Sequence, residues 1–103
     1  MSHTTDFIAE LYRAANEIGK LTPFEKRRLI ERAVITVRDM REQAAASDPD
    51  RTGGDVLDGI EAITLDIASV PDALVGHAML EAADMIRTLK ILLDAKGETL
   101  DKT

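Results

Sequence analysis

Apolar residues recur along this chain at intervals of three and four, the repeat of helices rather than of strands. The pattern predicts four helices. In the first, over about 6–18, Phe7, Leu11, Ala15 and Ile18 share a face, with Thr5 as N-cap. Gly19 fits the left-handed position that closes a helix, where a side chain would clash. The second helix has the strongest start signal. Thr22-Pro23-Phe24-Glu25 places a capping hydroxyl, a proline at the first helical position and a glutamate able to reach back to the cap. From there Ile30, Ala33, Val37, Met40 and Ala44 repeat as a seam of the kind that packs along a neighbouring helix, out to about residue 46.

Ser47 to Gly54 reads as a loop by composition. A third helix is predicted over about 55–69, capped by Asp55 and lined by Val56, Ile60, Ile63, Ile67 and Val70. Gly59 weakens it by up to ~1 kcal/mol relative to alanine. Pro71 then breaks or starts a helix. The fourth helix, about 72–96, is the longest, roughly 37 Å at ~1.5 Å per residue. Its wide apolar face runs Leu74, Val75, Ala78, Met79, Ala82, Ala83, Met85, Ile86, Leu89, Leu92 and Leu93, and Gly97 supplies the stop. The expected fold is all-α: one domain over 1–103, a bundle of three to four helices dominated by the two long ones, with 1–4 and 98–103 as mobile ends.

Two apolar pairs fall outside the seams. Phe24 and Ile35 lie on the back of helix two among Arg28, Glu31 and Glu42. Leu80 and Ile91 lie on the back of helix four among His77, Asp84 and Arg87. Long helices with apolar stripes on two sides exceed what the few helices of one short chain supply contacts for, so a homodimer is expected, with Phe24, Arg28, Ile35, Leu80 and Ile91 as contact residues. Isolated exposed apolar residues are also common on monomers.

Charge is divided along the chain. Residues 13–41 carry eight basic and four acidic groups, whereas 42–86 carry one basic and ten acidic, within a total of −6. Either a basic helix packs beside an acidic one, or one face is offered to a charged partner. A DNA-reading helix would line up several of Lys26, Arg27, Arg28 and Arg32 on one exposed side. The helical wheel divides them instead, and Glu25, Glu31, Asp39 and Glu42 offset their field. Only Phe7, Tyr12 and Phe24 are aromatic, which leaves few stacking platforms for bases.

Catalytic and metal chemistry find little purchase. The chain has no cysteine, which removes disulfides, zinc-thiolate sites and thiol nucleophiles together. Asp48-Pro49-Asp50-Arg51-Thr52-Gly53 resembles the opening of an EF-hand loop, but Gly59 stands where the bidentate glutamate belongs and Glu61 comes two residues late, so an inter-helix turn is expected and cation binding by 48–55 stays open. His77, Glu81 and Asp84 share a polar face without the paired Glu-x-x-His units of a di-metal bundle. No phosphate loop or hydrolase signature is present. No cofactor is expected, nor an enzyme. The polar start of the chain is unlike a signal peptide, and no apolar run reaches the ~20 residues of a membrane span, so a cytoplasmic protein is expected.

Residues 21–44, with their proline-started long helix, look like the corresponding part of the TraM-type antiactivators of plasmid quorum sensing, small helical dimers that bind a transcription factor. The shared residues are those of helices in general, so none takes a role from the resemblance. The expected function is a non-catalytic interaction module, a small regulator or adaptor that binds another protein through a helix. The alternative is a DNA-binding accessory protein using the basic second helix.

Overall fold

A computed structural model describes residues 3–44 and 54–101. These form four helices, α1 (His3–Asn16), α2 (Pro23–Ala44), α3 (Gly54–Ala62) and α4 (Asp72–Asp101), with 3-10 turns at Ile18–Lys20 and Ile63–Ser69 and no strand among the described residues. The all-α bundle expected from the repeat is the fold observed. Its organiser is α4: α1 and α2 both pack along it, and α3 with its 3-10 extension closes against α2.

One core joins all four helices. α1 supplies Phe7, Leu11 and Ala14; α2 supplies Ile30, Ala33, Val34, Val37 and Met40; α3 and the turn after it supply Leu57, Ile60 and Ile67. Val75, Ala78, Met79, Ala82, Ala83 and Ile86 of α4 complete it. The alternation of alanines with larger residues on α4 lets two helices approach it closely on adjacent sides.

Helix α2 starts as its sequence dictates. The Glu25 backbone N–H donates to Thr22 Oγ1 at 3.1 Å, and the Thr22 N–H donates to Glu25 Oε1 at 2.9 Å. Each bond satisfies a backbone donor that the first turn leaves without a helical partner. Replacing Thr22 by alanine should therefore cost about 1 kcal/mol, read as a lowered midpoint in urea with unchanged slope.

Elsewhere the helix boundaries differ from expectation. α1 begins at His3, so Thr5 lies inside the helix rather than capping it. Gly19 is not left-handed: it sits within the Ile18–Lys20 turn, closed by Lys20 N–H to Glu17 carbonyl and Leu21 N–H to Ile18 carbonyl bonds. α4 does not stop at Gly97, since its backbone stays helical to Asp101.

The third segment is not one helix. α3 ends at Ala62, and Asp66 leaves helical geometry with φ −148° and ψ 59°. The Thr64 hydroxyl donates to the Glu61 carbonyl at 2.6 Å, an alternative to regular helix pairing that short hydroxyl side chains offer. The buried face is also not the one expected. Leu57, Ile60, Thr64 and Ile67 are buried, Ile63 and Val70 are half-buried, and Val56, expected in the core, is exposed. Pro71 starts α4, its carbonyl accepting from Leu74 and Val75. Leu74 and Leu92, expected on the apolar face of α4, are exposed as well.

Candidate functional site

Because α1 and α2 both lie on α4, they leave a groove between them, open to solvent and about 960 Å³ in volume. α1 contributes Glu10, Arg13 and Ala14, and Glu17 just after it completes one wall. α2 contributes Phe24, Arg28, Leu29, Arg32 and Ile35 as the other. Phe24 and Ile35 are 68% and 60% exposed, so two large apolar side chains stand in water along the α2 edge. Three of the five expected contact residues, Phe24, Arg28 and Ile35, thus share one groove wall. Leu80 and Ile91 do not line it: they sit on the outer side of α4, 40% and 60% exposed.

The four basic residues considered for nucleic acid do not form one free stripe. Lys26 is buried, and its ammonium donates to Asp72 Oδ1 at 2.6 Å. Arg27 pairs with Glu31 at 3.2 Å, one turn along the same helix. Arg32 reaches from α2 to α1, 3.6 Å from Glu10 and with its guanidinium 4.3 Å from the centre of the Phe7 ring. That stacking holds α1 against α2 by a cation–π contact as well as by charge. Of the four, Arg28 alone has no hydrogen bond or ion pair with a described residue.

Part of the division of charge is settled inside the fold. Arg38 of α2 forms a fork with Glu61 of the acidic segment, at 2.7 and 3.3 Å, and lies 3.8 Å from Asp58. The hydrogen bonds from Arg38 hold the Glu61 carboxyl below its ordinary range, and Glu61 in turn raises Arg38. With Lys26–Asp72, this is the basic helix packing beside acidic elements.

His77 and Glu81 approach to 3.0 Å on the exposed side of α4. Among the described residues, no group of three or more His, Asp or Glu side chains is placed to hold a metal ion. The EF-hand-like run 48–53 lies outside the described residues. No described helix is long and apolar enough to cross a membrane.

The α1 wall is the part of the site that sequence reasoning missed. Glu10 and Ala14, with Glu17 just past the end of the helix, recur at four and three and so mark one edge of α1. Which helix lies beside that edge depends on how both dock onto α4, and no single helical wheel contains that information. No protein-family model, curated protein or solved structure matches the chain.

Proposed function

We propose that this chain is a non-catalytic interaction module that binds another protein in the groove between α1 and α2. The partner element is an amphipathic helix. Its apolar side covers Phe24, Leu29 and Ile35, and a carboxylate on its flank meets Arg28. Phe24 and Ile35 support this most directly: both are exposed, both lie on the same wall, and a cation without a described partner stands between them. Grooves between two helices commonly take a third helix in this way, with apolar anchors giving affinity and flanking charge giving selectivity. The DNA-binding alternative would have to draw on Arg28 with little help, because Lys26, Arg27 and Arg32 are already paired.

The test is a comparison of wild type with Phe24→Ser/Ile35→Ser and with Arg28→Glu. Both variants alter exposed side chains, so helix content and melting should stay close to wild type. Proteins captured from the native extract are identified by mass spectrometry, and the leading one is purified and titrated by calorimetry. The expected result is at least about a tenfold weaker association for each variant, as loss of an anchor residue commonly produces. Equal binding by all three proteins, or preferential capture of nucleic acid in a salt-sensitive manner, would refute the proposal.

A further inference from the structure

The outer face of α4 carries a self-complementary pattern. His77, Leu80, Asp84, Arg87, Ile91 and Asp94 follow one another at three, four, three, four and three, the spacing of a helix–helix seam. At ~100° per residue the central four fall within about 60° of the helix circumference. All four are exposed, and neither Asp84 nor Arg87 has a hydrogen bond or ion pair with a described residue. This is a second seam, opposite the one buried against α1 and α2.

We infer that this face binds a second copy of the chain, α4 against α4 in antiparallel orientation. In one register, Leu80 meets the partner's Ile91, and Asp84 meets the partner's Arg87. Two-fold symmetry repeats both contacts, as an isologous interface requires. The same register sets His77 opposite the partner's Asp94 at each end. Those two already have partners within the helix, Glu81 at 3.0 Å and Lys90 at 2.6 Å, so the inner four residues carry the interface. Orientation follows from charge. Parallel pairing would set Asp84 against the partner's Asp84 and Arg87 against the partner's Arg87, which is unfavourable twice over. Only the antiparallel arrangement joins opposite charges while keeping apolar residues on apolar residues. The interface lies apart from the α1–α2 groove, so dimerisation leaves the groove free.

A charge swap tests it. Light scattering should give wild type a mass approaching twice 11.3 kDa as concentration rises. Asp84→Arg should weaken the dimer by about tenfold or more, since the new arginine faces the partner's Arg87, and two-fold symmetry repeats the clash. Adding Arg87→Asp to the same chain restores opposite charges and should restore the dimer. Orientation is read separately from cysteine variants, against a wild-type background that has no cysteine. A short bis-maleimide should link Leu80→Cys/Ile91→Cys into a covalent dimer but not Leu80→Cys alone, whose two copies would lie about 16 Å apart along the axis at ~1.5 Å per residue. A monomeric wild type, a dimer indifferent to Asp84→Arg, or efficient linking of Leu80→Cys alone would each overturn the inference. Loss of the dimer in Phe24→Ser/Ile35→Ser but not in Asp84→Arg would overturn it too, by placing the contact in the groove.

Discussion

Ile86→Ala is expected to destabilise the protein by about 2–5 kcal/mol, the range for deleting a large aliphatic side chain from a packed core. Ile86 is fully buried, on the helix against which both α1 and α2 pack. Removing it leaves a void that two helices would have to close at once, and each is held elsewhere. α1 is tied to α2 by Arg32 on Phe7, and α2 is tied to the start of α4 by Lys26 on Asp72. The cavity should therefore persist rather than collapse, which puts the cost towards the upper part of that range. Against a total stability of about 5–15 kcal/mol for a domain of this class, the loss is a large fraction. At about 4–8 °C per kcal/mol, the thermal midpoint should fall by more than 10 °C. Ile35→Ala is the control: the same atoms leave, from a residue 60% exposed on α2, and the midpoint should move little. Similar losses at both positions would mean that Ile35 is covered in solution, and that the proposed groove wall is core.

The same contrast between isoleucines shows what can be read from the chain before its structure. Helical phase assigns Ile86 to the inside and Ile35 and Ile91 to the outside, and each is found there. The start of α2 is equally legible, because a capping box is closed within four residues and needs no tertiary partner. Positions whose environment depends on another helix are less so. Val56 and Leu57 are adjacent apolar residues on α3, and the docking against α2 decides that Leu57 turns inward. Leu65 lies off the face formed by Leu57, Ile60, Thr64 and Ile67 and ends up 88% exposed. The α2 wall of the groove could be named from one wheel, whereas the α1 wall depended on packing. The charge division had two readings in sequence, and distance resolved part of it: Arg38 meets Glu61 and Lys26 meets Asp72. Arg28 beside the groove and the Asp84–Arg87 pair outside α4 stand where the fold has not already used them.

Lys26 and Asp72 offer the second large effect, and it should be unequal between the two partners. The lysine side chain is 11% exposed and the aspartate 50%. Asp72→Ala removes the one carboxylate that faces a nearly buried ammonium, leaving a charge desolvated without its hydrogen bond. Such an orphan costs about 1–3 kcal/mol or more when the group is charged. The change also removes an anion from the first turn of α4, where it is favourable to the helix dipole by about 0.3–1 kcal/mol. Lys26→Met acts differently. It keeps the buried aliphatic stem and takes away the buried charge, while Asp72 stays half in water at the start of its helix. Replacing one buried cation by an apolar residue of similar shape is often close to neutral, so a change within about 1 kcal/mol is expected. Urea unfolding of both variants decides the matter: Asp72→Ala should lose clearly more stability than Lys26→Met, and equal losses would show that the pair contributes attraction rather than merely compensating desolvation. The pair matters beyond stability because it joins the first turn of α2 to the first turn of α4, two residues from Phe24. Asp72→Ala should therefore loosen the α2 wall of the groove, and amide exchange in residues 23–28 should quicken more in that variant than in Lys26→Met.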